Sequence, residues 1–170
     1  MIFERFFMIG FRKYNKDDAK MIADWIKDEK AFRLWCADRF KKFPLQVDEF
    51  NQMYDNTDKS SFFGMIAEDN GECVGHLFFQ ILSEDKIKFG LIIVDDSKRG
   101  MGYGKRMLEA AISYAKNNLK AKTVTLSVFN SNVSAYKCYL SLGFKETGNK
   151  TVYDFFGEKH NYIELEYIIE

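Results

Sequence analysis

The chain has 170 residues, of which 46% are hydrophobic and 16% aromatic, so its composition is that of a folded domain and excludes a disordered chain. The 25 lysines and arginines equal the 25 aspartates and glutamates, which excludes a strong overall attraction to nucleic acid or to an anionic membrane. No apolar run approaches the length of a membrane span, and we therefore expect one soluble domain over residues 1–170.

The cysteines and the first residues predict the cellular location. The three cysteines are odd in number, far apart and never in a CxxC pair: Cys36, Cys73 and Cys138. This spacing argues against a disulfide framework and favours the reducing cytoplasm. Residues 1–10 carry two charges inside an apolar stretch, which is unlike a secretion signal. With only two histidines, no zinc-binding pattern can be written, so we predict no metal.

The first third of the chain predicts a strand and then amphipathic segments. IGFRKY at 9–14 is typical of a short strand. In DDAKMIADWIKDE at 17–29 the apolar residues recur at helical spacing, and a second amphipathic stretch, KAFRLWCADRF, follows at 30–40. A third stretch surrounds VDEFNQMY at 47–54.

The rest of the chain predicts a meander and two crossover helices. FFGMIAE and CVGHLFFQIL flank Asp69-Asn70-Gly71, a hairpin turn, and IKFGLIIV at 87–94 continues as a third strand. A helix follows 104, TVTLSVF at 123–129 is typical of a buried strand, and a short helix ends at Gly143 before two last strands. The predicted order is β-α-α-β-β-β-α-β-α-β-β, a mixed α/β fold with a central sheet flanked by helices.

Three alternating glycines stand where the helix after the third strand must begin. In VDDSKRGMGYGKRML at 94–108, Gly100, Gly102 and Gly104 leave the backbone without side chains, and Arg99 and Lys105 bracket them with positive charge. A helix N-terminus attracts anions, and glycine lets a phosphate approach its N–H groups. The simpler alternative is a glycine-softened turn with solvated lysines. Three alternating glycines between a buried strand and an amphipathic helix favour the phosphate interpretation.

The two common nucleotide motifs do not fit this run. A P-loop requires Ser or Thr after Gly-Lys, and the chain has Arg106. A dinucleotide fingerprint GxGxxG requires glycine at 105 or 107, where Lys105 and Met107 stand.

Two separate motifs resemble the GNAT superfamily of N-acetyltransferases. RGMGYG at 99–104 is similar to the family's pyrophosphate loop, Arg/Gln-x-x-Gly-x-Gly/Ala. NVSAYKCYLSLGF at 132–144 is similar to the family's second motif, Asn-x-x-Ala-x-x-x-Tyr-x-x-x-Gly-Phe. LIIVDD at 91–96 resembles the strand that enters the loop, and the order of elements agrees from residue 9 to the end. The resemblance implies a GNAT-like fold and acetyl-CoA as the acyl donor.

The resemblance also implies roles for individual residues. The backbone of Ile92, Ile93 and Val94 would pair with the pantetheine arm, and one of these N–H groups would polarise the thioester carbonyl. Asn132 and Tyr139 would contact CoA, and Tyr139 would protonate the departing thiolate. The pyrophosphate would lie on Arg99, Gly100, Met101, Gly102, Tyr103, Gly104 and Lys105. Seven residues of helix bring Tyr139 back to within about 20° of Asn132 around the helix axis. Each residue also has a structural alternative: Asn132 as a helix cap and Tyr139 as a packed core aromatic.

The chain departs from branches of this family at the catalytic base. Ser127 and Lys88 stand where branches of the family carry glutamate, so no base is assigned and a water chain remains an alternative. Four other side chains lie on neighbouring predicted strands: Glu68, His76, Glu164 and Glu166. Cys138 is expected to be a small buried side chain without a catalytic partner.

The acceptor site is expected in the aromatic segment 30–54, with Trp35, Asp38 and Phe43 as candidates. The leading hypothesis is transfer of an acetyl group from acetyl-CoA, by direct attack in a ternary complex, to a primary amine of a small molecule or a protein N-terminus. A non-catalytic acyl-CoA sensor or regulatory module on the same fold is the alternative, and a purely structural protein is a third. No nucleic-acid or membrane partner is expected, and a monomer and a homodimer both remain open.

Overall fold

A seven-stranded mixed sheet forms the frame of the protein. The computed structural model describes residues 8–170. Its first half comprises β1 (Gly10–Lys13), α1 (Asp18–Asp24), α2 (Glu29–Cys36), α3 (Val47–Asp55), β2 (Phe62–Asp69), β3 (Glu72–Ile81) and β4 (Lys86–Val94). A short 3₁₀ turn at Asp96–Lys98 leads to α4 (Tyr103–Leu119), β5 (Thr123–Phe129), α5 (Val133–Leu142), β6 (Lys145–Phe155) and β7 (Glu158–Ile168). The expectation about the N-terminal signal falls on residues that lie mostly outside this range.

The predicted α/β class is confirmed, with one correction to the order of elements. The strands lie in the order β1-β2-β3-β4-β5-β7-β6, and β4 with β5 is the parallel pair. The sequence order counts two helices before the meander, whereas the structure has three, because the stretch around 47–54 also folds as a helix. Within residues 8–170, no helix combines the length and apolar character that crossing a bilayer requires.

Local turn chemistry places the predicted turns. Asn70 and Gly71 both have positive φ, 52° and 80°, as a tight two-residue hairpin requires. Gly143 ends α5 with φ 104°, in the left-handed region where glycine avoids the penalty of a side chain.

The sheet separates two apolar clusters. On one side α4 and α5 cover Leu77, Phe79 and their neighbours, and on the other α1 to α3 cover Ile66, Phe78 and theirs. Both faces of the sheet are therefore buried. A ligand can reach the middle of the sheet only where two neighbouring strands diverge.

β4 contains a bulge in its pairing with β3. His76 pairs with Ile93 but Phe78 pairs with Gly90, so β4 carries one extra residue, and Leu91 takes a left-handed φ of 47°. The bulge reverses which face the odd-numbered residues meet: Ile87 and Phe89 join the cluster under α4, whereas Leu91 and Ile93 join the other cluster.

The parallel ladder of β4 with β5 is short. It runs from Lys86 opposite Thr123 to Lys88 opposite Thr125 and ends there. Beyond it the two strands diverge, and no strand of residues 8–170 pairs with the β5-facing edge of residues 89–94.

Candidate active site

A cavity of about 510 Å³ lies between the diverging ends of β4 and β5. The start of α4, one face of α5, part of α2 and Ile26 after the end of α1 complete its walls. The predicted site residues that line it are Ile92, Ile93, Val94, Arg99, Gly100, Gly102, Tyr103, Gly104, Lys105, Asn132, Tyr139 and Trp35. Met101 does not line it and is 65% exposed. The cavity thus gathers segments that are far apart in the sequence.

The glycine loop is open above its backbone. Gly100 and Gly102 have φ of 75° and 81°, and a Cβ built at either position would have no other atom within 4 Å. Gly104 lies in the first turn of α4, where a Cβ would lie 3.8 Å from Val94 Cγ2. The left-handed turn therefore explains two of the glycines, and the open space beside the helix N-terminus is suited to an anion.

The β2–β3 hairpin holds two of the four cations of the loop. Lys98 Nζ lies 2.7 Å from a Glu72 oxygen, and Arg106 lies 3.6 Å from Asp69. Asp69 also accepts a hydrogen bond of 2.9 Å from the Tyr103 hydroxyl. Glu72 and Asp69 therefore offset the charges of Lys98 and Arg106.

Three of the four cations line the cavity: Lys98 is the one held by Glu72, and Arg99 and Lys105 are the other two. Arg99 lines it and has its guanidinium 3.5 Å from Asp96, a loose and exposed pair. Lys105 also lines it, one residue after Gly104. Arg99 and Lys105 are therefore the fixed charges available to a diphosphate group.

One face of α5 forms the opposite wall. Asn132 caps this helix, because its Oδ1 accepts from the Ala135 N–H at 3.5 Å, and it also lines the cavity. Ala135, Cys138 and Tyr139 follow on the same face. The expectation of a buried Cys138 is corrected: its thiol is half-buried and borders the cavity.

Tyr139 combines a buried ring with an uncommitted hydroxyl. The residue is 7% exposed, and its ring packs against Phe144 at 6.1 Å between centroids. Across residues 8–170, no side chain or backbone group hydrogen-bonds the hydroxyl. Burial raises the pKa of the Tyr139 phenol above its usual value, so the group keeps its proton throughout the neutral range.

His76 holds the bulge of β4 and is not a base. Its Nδ1 lies 3.2 Å from the Leu91 carbonyl, which can only accept, so this nitrogen carries the proton. Its Nε2 then accepts from the Tyr54 hydroxyl at 2.8 Å. The ring is fully buried, and burial lowers the pKa of His76 to about 4. His76 is therefore neutral and fixes the carbonyl of the left-handed residue.

The carboxylates that the sequence offered as bases have other contacts or lie elsewhere. Glu68 pairs with Arg12 at 2.8 Å, and Glu164 accepts hydrogen bonds from Thr147 and Asn149. Among residues 8–170, no Asp, Glu or His lines the cavity. Within the same range, no group of three or more His, Cys, Asp or Glu side chains is spaced to hold a metal ion.

The three acceptor candidates lie in different places. Trp35 lines the cavity, Asp38 is exposed on the loop after α2, and Phe43 packs on Phe32 at 5.9 Å and does not line the cavity. Tyr162 of β7 also lines the cavity, and no local pattern predicts it because its position depends on the pairing of β5 with β7.

A comparison with protein-family models decides the family. Residues 19–144, which include both glycine-loop and α5 motifs, match the model described as the acetyltransferase (GNAT) family. The chain belongs to this family. The cleft between β4 and β5, the loop at 99–105 and the α5 motif are the parts of a GNAT fold that the geometry has already described.

Individual relatives support the same placement. The spermine/spermidine N(1)-acetyltransferase of Bacillus subtilis is 30% identical over 96 residues, a match that covers 52% of this chain and 61% of the relative. The match thus spans less than two thirds of that relative's length. The spermidine N-acetyltransferase of Vibrio cholerae, solved with CoA and spermine, superimposes with a TM-score of 0.78 over 95% of each chain at 18% identity. This likeness establishes a shared GNAT fold.

Proposed function

We propose that this GNAT protein transfers the acetyl group of acetyl-CoA to a primary amine by direct attack in a ternary complex. Acetyl-CoA supplies a thioester, and the protein supplies binding, orientation and proton transfer. The observation that carries the proposal is the cavity itself, which joins an open glycine loop at a helix N-terminus to the uncommitted hydroxyl of Tyr139.

The loop and β4 would bind the donor. Gly102 and Gly104 leave room for the diphosphate, and Arg99 and Lys105 provide its counter-charge. The unpaired edge of residues 92–94 offers N–H and C=O groups to the amide groups of a pantetheine arm, as an added strand would. An N–H beside the bulge is suited to polarise the thioester carbonyl.

Tyr139 would be the general acid. Attack by the amine releases a thiolate, which needs a proton, and a buried phenol with a raised pKa is protonated at neutral pH. Because the cavity wall formed by residues 8–170 holds no carboxylate, the amine proton would leave through water, and Ser127 is positioned to hold that water.

The experiment is a thiol-release assay with acetyl-CoA and a panel of amines, with the acetylated product identified by mass. The panel includes spermidine because similar proteins are named as spermidine acetyltransferases. CoA affinity is measured in parallel by calorimetry. If the protein transfers acetyl groups, we expect both CoA binding and acceptor-dependent thiol release. If the protein is a non-catalytic acyl-CoA sensor, we expect CoA binding without thiol release. The absence of CoA binding would contradict both hypotheses.

A further inference from the structure

The cavity has a second end that the donor would leave free. Its donor end is formed by the glycine loop, the start of α4 and the face of α5 that begins at Asn132. The other end lies on the opposite face of the sheet, because Leu91, Ile93 and Trp35 of its wall belong to or pack against the apolar cluster under α1 to α3. An amine that attacks the thioester would approach from this side, which we call the acceptor end.

The wall of the acceptor end is mostly apolar. Ala31, Leu34 and Trp35 stand at positions i, i+3 and i+4 of α2, so they lie on one face of this helix, and all three line the cavity. Three further apolar residues, each at most 6% exposed, complete this part of the wall: Ile26, Leu91 and Ile93. A ligand at this end would therefore contact hydrocarbon and aromatic surface.

Two uncharged hydroxyls are added to this wall by β5 and β7. Ser127 and Tyr162 lie on the face of the sheet turned away from α4, because their neighbours Val128 and Ile163 belong to or pack against the cluster under α4 and α5. Each lines the cavity without a hydrogen-bond partner for its hydroxyl among residues 8–170. Burial raises the pKa of Tyr162, so its hydroxyl stays uncharged at neutral pH. Both hydroxyls can hydrogen-bond a neutral amine, and neither provides the counter-charge of an ammonium.

Charged side chains of residues 8–170 approach this face of the sheet without lining the acceptor end. Glu164 lies opposite Ser127, yet its carboxylate accepts hydrogen bonds of 2.8 Å and 3.0 Å from Thr147 and Asn149 of β6, on the far side of β7. Four further charges, two of each sign, lie on or beside this face and outside the wall: Asp38, Arg39, Lys88 and Glu166. The charged residues that do line the cavity belong to its donor end: Lys98, Arg99 and Lys105. A second ammonium group on an acceptor would therefore leave water with no carboxylate in the wall to bind it.

Leu34 shows that this wall is not explained by core packing alone. Its side chain is partly exposed and lines the cavity, but it belongs to neither of the two apolar clusters of residues 8–170. Ala31 and Trp35, on the same face of α2, both pack against the cluster under α1 to α3. The apolar surface of Leu34 is thus left for a ligand to cover, and removing such surface from water is favourable.

We propose that the acceptor is a monoamine with an uncharged apolar body, an alkyl or aryl-alkyl primary amine, and that the face of α2 with Leu34 binds this body. The inference rests on the proposed acetyl transfer and names its substrate class. A polyamine would place a second ammonium against an apolar wall, where the charge is less stable than in water. The apolar surroundings also favour the neutral form of the reacting amine, which is the form that attacks.

The test is a chain-length series of acceptors. The n-alkylamines from ethylamine to hexylamine have nearly the same basicity, so only the apolar body changes, and kcat/KM is measured for each by thiol release. We expect kcat/KM to rise by about three- to fourfold for each added methylene until the wall is covered, the transfer value of one CH₂ group. Pentylamine should exceed cadaverine, the diamine of the same length, by at least about tenfold, because the diamine must desolvate a second charge. Spermidine is measured beside them.

Variants assign the effect to α2. Leu34→Asn should flatten the chain-length series by raising KM for the longer amines, and Leu34→Ala, which keeps a strong helix former in α2, should lower the slope in the same direction. Leu140→Asn is the matched control, because Leu140 is a 41% exposed helical leucine that does not line the cavity, and it should keep the wild-type series. CoA affinity of each variant separates the acceptor end from the donor end, and circular dichroism verifies the fold.

The outcomes separate the inference from the proposed function. A flat series, a preference for spermidine or cadaverine over pentylamine, or a rising series that Leu34→Asn leaves intact would each refute the inference and leave acetyl transfer standing. If no amine releases thiol, the proposed function fails, and calorimetry of the CoA-loaded protein with pentylamine against cadaverine still decides the apolar site. Tighter binding of pentylamine that Leu34→Asn weakens supports the site, and equal or absent binding refutes it.

Discussion

Replacement of Tyr139 by phenylalanine tests the assignment of the general acid. The change removes one oxygen that has no hydrogen-bond partner in residues 8–170 and keeps the ring against Phe144. The free energy of unfolding should therefore change by less than about 1 kcal/mol. A positioned acid contributes about 10²- to 10⁴-fold, or roughly 3 to 5 kcal/mol of barrier, so kcat should fall by that factor with little change in CoA affinity.

The assay is single-turnover and steady-state thiol release, with chemistry shown to be rate-limiting. Because burial raises the pKa of Tyr139, the wild-type rate should show no alkaline loss from this group near pH 10, where an ordinary phenol titrates. Tyr136→Phe is the control on the same helix: its hydroxyl donates to Glu146 at the surface, and its loss should be nearly silent. Wild-type turnover by folded Tyr139→Phe would reduce Tyr139 to a core aromatic.

Three further changes test the donor loop, the bulge and the framework. Gly104→Ala should stabilise α4 by up to about 1 kcal/mol yet weaken CoA binding in calorimetry, since its Cβ meets only Val94 at 3.8 Å within the protein; unchanged affinity would remove the loop assignment. The pKa of His76 falls from 6.5 to about 4 on folding, so the folded state binds fewer protons between these values and stability should decline by about 3 kcal/mol as pH falls through this window. Urea unfolding of His76→Gln should lack that part of the pH dependence, and an identical slope would refute the burial argument. Arg12→Met removes two of the three 2.8 Å hydrogen bonds that the 7% exposed Asp18 accepts, and the one from the Asn15 N–H remains. The change should cost about 2 to 3 kcal/mol at pH 7, a loss that shrinks in acid as Asp18 becomes protonated.

The sequence by itself determined the elements whose cause is local. Asn70 and Gly71 specify their turn because both need positive φ, and Gly143 ends its helix for the same reason. The β-branched run at 123–129 is a strand with those bounds. The glycine loop and the α5 motif also lie in continuous stretches, so the family and the walls of the donor site follow from short-range spacing.

The tertiary structure decided what depends on partners distant in sequence. IKFGLIIV ends in four consecutive apolar residues, and nothing in it marks the bulge that turns Leu91 and Ile93 to the other face. The bulge depends on the register with β3. No local pattern indicates that Glu72 pairs with Lys98, 26 residues away, and so offsets part of the positive charge beside the glycine loop.

The same reason explains the acceptor side. In the sequence His76 is only one of four side chains near the predicted site, without an assigned role. The structure shows it buried between Tyr54 and the Leu91 carbonyl, contacts 22 and 15 residues away in the chain. Lys88 stands where some branches of the family carry glutamate, and only the fold shows that Arg39 packs over the Phe78 ring. Local conformational preferences fix turns, helices and motifs, whereas burial, charge pairing and strand register depend on which distant segments the fold brings into contact.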